Sequence, residues 1–180
     1  NSKSLTPAMV TNFYNDLTRF HFPIEHIRFS KILESYLNKA KKGPSGERAI
    51  DPKKFLLHVS KKMSFSSIRE FERYLRSFEM FNQEFREKLS EEDIVDKDNI
   101  KPILTFFEKL IEKQNSESYF TCVNVKKSKK RKYVSFEVNA LDPREITVPL
   151  FRNCFSSLNL TGTVNPKIYS GLAGLSYSYK

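Results

Sequence analysis

Residues suited to chemistry lie in two places, a hydroxyl corner near the end of the sequence and a run of cations before it. The corner is Thr161-Gly162-Thr163, which follows an apolar run around Leu158 and Leu160 that reads as a short buried strand. Glycine permits a sharp exit there. In open α/β sheets ligands sit outside the carboxyl ends of strands, so the two hydroxyls are placed to touch a phosphate, a metal-bound water or a neighbouring loop. The cation run is Lys126-Lys127-Ser128-Lys129-Lys130-Arg131-Lys132, six positive charges in seven positions. Without it the formal charge falls from +10 to +4, so most of the excess charge is concentrated in this run. Such a cluster can grip phosphates and release their counterions. A solvated turn or a nuclear-targeting-like patch has the same composition.

A second, looser basic group, Lys39, Lys41, Lys42, Arg48, Lys53 and Lys54, surrounds a Gly-Pro loop, where charged helix ends are an ordinary explanation. Other chemistries lack their residues. His21, His26 and His58 have no cysteine or carboxylate at metal-ligand spacing, and His21 and His26 are five apart, off the four-residue step that shares a helix face. Ser156 and Ser157 lack the glycine frame of a nucleophile elbow. No metal is expected.

The context of the hydroxyl corner is more specific than the corner itself. Leu141-Asp142-Pro143, Pro149-Leu150-Phe151, Ser157, the apolar strand, Thr161-Gly162-Thr163, Asn165-Pro166, Tyr169, Leu172 and Gly174 follow one another. Together they resemble the end of the first motor domain in XPD-type superfamily 2 DNA helicases. That family has a Cys/Ala-Leu/Met-Asp element, a Pro-Val/Leu-Phe element, and a Ser-Gly-Thr-Leu-Ser-Pro motif III followed by a Tyr and a Leu-Gly. Thr161 stands where the family usually has Ser, and Val164-Asn165 where it has Leu-Ser. The likeness covers about the last 40 residues; the rest matches the family only in having the length and helical class of its arch insertion.

The resemblance implies the arch region of an ATP-dependent 5'-3' DNA helicase acting in DNA repair, joined to the closing piece of the first motor domain. In the family the arch leans over the motor and helps form a gateway for the translocated single strand. Thr161, Gly162 and Thr163 would couple nucleotide state to the DNA track, with Asp142 a structural neighbour. The full-length family uses ATP with Mg and a 4Fe-4S iron–sulfur cluster. This chain has no Walker A loop, Asp-Glu-Ala-His box or four-cysteine set, so it cannot hydrolyse ATP alone and carries no cofactor of its own. The implied partners are single-stranded or forked DNA, the remainder of the helicase, and repair-complex proteins docking on the arch. The implied setting is the cytoplasm of a prokaryote or archaeon, or a eukaryotic nucleus. Two other readings stay open: a stand-alone basic nucleic-acid-binding module, and a protein–protein docking scaffold.

Composition fits a folded chain. The 180 residues are 39% hydrophobic and 13% aromatic, with 16 Phe and no Trp, which is globular rather than disordered. A pI near 9.5 favours a polyanionic partner. Cys122 and Cys154 are too few and too far apart for a disulfide framework, which suggests a reducing compartment with both thiols buried in strands. No apolar run of membrane-spanning length and no signal peptide stands out. The opening on Asn1 rather than Met suggests an excised or processed fragment.

These residues need elements to position them. Thr6-Pro7 starts a helix to about Phe20, with Val10, Phe13, Tyr14, Leu17 and Phe20 on one stripe. A second runs from about Ile24 to Lys42 and stops at Gly43-Pro44-Ser45-Gly46. Asp51-Pro52 starts a third through Met63, and a fourth begins near Ser66 and passes Phe78, with its unbroken continuation to Phe81, Phe85 and Leu89 left open. Acidic Glu91 to Asp96 marks a loop, and Pro102 to Lys113 is the last helix. From Ser118 the period becomes two: 119–125 and 133–138 form a hairpin joined by the basic stretch. The fold class is α+β, mainly α: a helical arch-like bundle at 1–117, then at 118–180 a β-hairpin and a strand-turn-helix piece of a RecA-like motor. The strand near Leu158 would lack its parallel neighbours here, so residues after about Phe155 are expected to be the least native-like and fastest to exchange hydrogen.

Overall fold

The computed structural model describes residues 3–91, 97–128 and 131–141. The chain is α+β and mainly helical, with five helices packed on one face of a small antiparallel sheet. The hydroxyl corner, Asp142, Cys154 and the strand near Leu158 lie outside the described residues, as do Lys129 and Lys130.

Strand β1 (Lys3–Leu5) leads into α1 (Pro7–Arg19). The Thr6 hydroxyl accepts from the Met9 backbone N–H at 3.3 Å, and Pro7 occupies the first turn, where its missing N–H costs nothing. Helix α2 (Ile24–Lys41) buries His26, Phe29, Ser30, Leu33 and Leu37 at three- and four-residue steps. Strand β2 (Gly46–Ala49) follows inside what the sequence reads as loop and linker. Asp51 then caps α3 (Pro52–Lys62) by accepting from the Lys53 and Lys54 N–H groups.

Helix α4 (Ile68–Glu91) runs unbroken past Phe81, Phe85 and Leu89, which settles the point that periodicity left open. Ser67 and Glu70 start it reciprocally: the Ser67 hydroxyl accepts from the Glu70 N–H, and the Glu70 carboxylate accepts from the Ser66 N–H. Those hydrogen bonds from Ser66 hold the Glu70 carboxyl below the usual carboxylate range. Helix α5 (Lys101–Lys113) precedes the long hairpin of β3 (Tyr119–Ser128) and β4 (Arg131–Ala140).

The sheet order is β1-β4-β3-β2, all antiparallel. Val123, Val125, Val134, Phe136 and Val138 alternate onto the face that the helices cover and join one core with Phe13, Phe29, Phe55, Phe71, Phe78 and Phe107. Phe55 of α3 stacks on Phe136 of β4 at 4.4 Å, and Phe29 lies 5.2 Å from Phe107, so rings tie helices to sheet and to one another. The hairpin is therefore packed as one unit with the helices before it, through shared strands as well as shared core. Among the described residues no helix is long and apolar enough to cross a membrane.

Candidate nucleic-acid interface

The described part of the basic stretch is strand. Strand β3 continues through Ser128 and β4 starts at Arg131, with Lys126 opposite Tyr133, Lys127 opposite Lys132, and Ser128 opposite Arg131. Backbone ladder bonds continue into the cationic residues despite the cost of placing Lys127 and Lys132 face to face. Strand alternation then sorts the charges: Lys126 and Arg131 fall on the sheet face away from the core, Lys127 and Lys132 on the helical side.

Lys132 reaches across to the Gly43 loop, its Nζ donating to the Gly43 carbonyl at 3.2 Å. The second basic group is thereby drawn toward the first. Lys41, at the end of α2, lines an open cleft of about 770 Å³ together with Lys126, Arg131 and Lys132. None of the described residues lining that cleft is an acid. The start of α1, from Thr6 to Ala8, closes one side, and its first turn carries no acidic residue, so the positive end of a helix adds to the four cations. Tyr133 stands in the same cleft, 57% exposed, opposite Lys126. An exposed ring among cations is the combination that single-strand binders use, one part for the backbone and one for a base.

Not every expected cation takes part. Lys42 and Lys127 are exposed but do not line the cleft. Arg48 is turned inward: from β2 it donates to the Ala40 carbonyl at 3.1 Å, and its Nε is buried without a hydrogen-bond partner among the described residues. The guanidinium caps the end of α2, which fixes the Gly43 loop instead of presenting a charge to solvent. Arg48 therefore latches the end of α2 and does not line the cleft. Sequence reasoning passed over Tyr133, whose signal was its place in the alternating run directly after Lys132.

On the outer sheet face Glu47, Cys122 and Glu137 each bring a ligand atom within 4.8 Å of the others. Burial, with smaller contributions from Glu137 and Glu47, pushes the Cys122 thiol up to about 11, so it stays protonated near neutrality. The carboxylates are already engaged: Glu137 accepts from Ser135 and Asn139, and Glu47 accepts from Asn124. Those partners account for the group as a satisfied polar patch.

One histidine, His26, serves structure. His26 stacks on Phe78 at 3.7 Å and shares a 2.8 Å hydrogen bond between its Nδ1 and the Tyr74 hydroxyl. Its burial lowers the imidazole to about 4, and burial raises Tyr74 well above the ordinary phenol range. His21 ends the turn after α1 with a φ of 55°. No known protein-family model matches the chain, and no curated protein matches it.

Proposed function

We propose that this chain binds single-stranded nucleic acid through the cleft at the β3–β4 end, as the arch region of an XPD-type DNA helicase. The observation that carries the binding is the meeting of Lys41, Lys126, Arg131 and Lys132 with exposed Tyr133 in a cleft whose described lining holds no acid. Phosphates would sit among the four cations and the start of α1, and a base would stack on the Tyr133 ring. Binding of this kind is weak, sequence-tolerant and salt-sensitive. Support for the helicase assignment comes from Leu141 to Gly174, which resemble the motif III end of the first motor domain. In that setting the cleft would help guide the translocated single strand, while ATP with Mg, and the 4Fe-4S cluster, belong to the rest of the helicase.

Fluorescence anisotropy with an oligothymidine, measured over a range of salt, tests the cleft. Neutralising Lys126 and Arg131 together should flatten the logarithmic salt slope by about 1.4, at roughly 0.7 per phosphate contact on single strands. Tyr133→Ala should weaken binding by about 1–3 kcal/mol and leave that slope unchanged. An unaltered slope in the double variant assigns these charges to solvent and ends the proposal.

A further inference from the structure

We propose that the groove between α2 and α3 docks an acidic amphipathic helix of a partner protein. The groove has a volume of about 480 Å³. Its long wall is a side of α2 distinct from the buried stripe: Ile24, Lys31, Ser35 and Lys39 recur at the spacing of one helix face. His58 and Lys62, one turn apart on α3, form the other wall.

The floor is aliphatic. Ile27 and Ile32 are half-buried there, and Ile24 is 74% exposed, the most open of the large apolar side chains among the described residues. An isoleucine in water at the mouth of a groove is surface that a partner's apolar side chains can cover. Above it, among the described residues, Lys31, Lys39 and Lys62 make no ion pair and no carboxylate lines the groove. Arg28 is used differently: it donates to the Lys62 carbonyl at 2.6 Å and to Ser64, which pins the end of α3 and sets the groove's width.

Charge and shape together select the occupant. Three cations over an apolar floor complement a helix with leucine-like residues on one side and carboxylates on the other. From Ile24 to Lys39 the wall is about 22 Å long at 1.5 Å per residue, enough to seat four turns. A nucleic acid fits less well, because stacking needs open aromatic faces, the Tyr36 ring is taken up by Phe55 at 4.6 Å, and the small His58 ring is the one exposed ring in the described lining. The groove and the phosphate cleft use different residues, so the inference stands apart from the nucleic-acid reading.

The test titrates the 180-residue chain into a fluorescein-labelled fourteen-residue peptide with leucines at helical spacing and glutamates elsewhere. A scrambled-order peptide and an oligothymidine serve as competitors. The ordered peptide should bind better than the scrambled one, and Ile24→Ser and the pair Lys31→Glu, Lys62→Glu should each weaken it about tenfold. Ile24 is exposed and both lysines make no ion pair among the described residues, so thermal melts of these variants should match the parent. Their binding to oligothymidine should also be unchanged. Absence of measurable peptide binding, equal binding of the scrambled peptide, or indifference to both variants overturns the proposal. Displacement by oligothymidine that is itself lost on Ile24→Ser overturns it in favour of a nucleic-acid groove.

Discussion

Gly43 leaves room for the Arg48 guanidinium at the end of α2, and replacing it with alanine probes that contact directly. A Cβ built on Gly43 would lie 2.6 Å from Arg48 Nη1 and 2.7 Å from Nη2. Alanine therefore pushes the guanidinium away from the Ala40 carbonyl, breaking the 3.1 Å bond that caps α2. A hydrogen bond from a charged donor is worth about 1.5–3 kcal/mol. Against this, alanine narrows the unfolded ensemble, which stabilises by about 0.4–1 kcal/mol where the backbone tolerates a side chain. The net expectation for Gly43→Ala is a loss of about 1–2 kcal/mol, read as a lower urea midpoint at unchanged slope. The decisive measurement is a double-mutant cycle. In an Arg48→Ala background the obstacle is gone, so the same substitution should be neutral or slightly stabilising, with a coupling energy of about 1.5–3 kcal/mol. An equal cost of Gly43→Ala in both backgrounds would show that Arg48 is not what the glycine accommodates, and the latch would have to be abandoned.

Two further outcomes follow from buried polar groups. Because the folded-state pKa of His26 lies near 4 and the unfolded value is 6.5, the unfolded chain binds a proton that the folded chain refuses between these values. Stability should therefore fall as pH drops from 6.5 toward 4. A shift of this size is worth about 3 kcal/mol in full, and local opening toward water limits the loss to about 2. Urea midpoints across that window should show a decline that His26→Leu removes; an identical decline in the variant would place the effect elsewhere. Asp16, 6% exposed, accepts from Arg86 at 3.3 Å and from the Asn99 backbone and side-chain N–H groups. Asp16→Ala should cost about 2 kcal/mol by removing the buried acceptor those donors share, with Asp98 still 3.8 Å from Arg86, whereas Arg76→Ala, which removes an exposed pair with Glu72, should cost under about 0.5 kcal/mol. Comparable losses in thermal melts of the two variants would contradict the difference in burial.

How much of this was readable beforehand depends on how local the information is. The apolar stripes of α1 to α5, the Thr6-Pro7 and Asp51-Pro52 starts and the alternation around Val123 and Phe136 are local patterns, so five helices and a hairpin could be read from the sequence. The three residues of β1 and four of β2 carry no such period. They are strands because Phe136 to Val138 and Cys122 to Val125 offer them open ladder edges, and those partners are far away in sequence. The candidate site divides in the same way. Composition pointed to the cations at 126–132, but only tertiary packing brought Lys41 beside Lys126 and Arg131, left Tyr133 exposed among them, and withdrew Arg48 to cap α2. A side chain's charge is a property of the residue, whereas its availability to a ligand depends on which carbonyls lie within reach once the chain has folded.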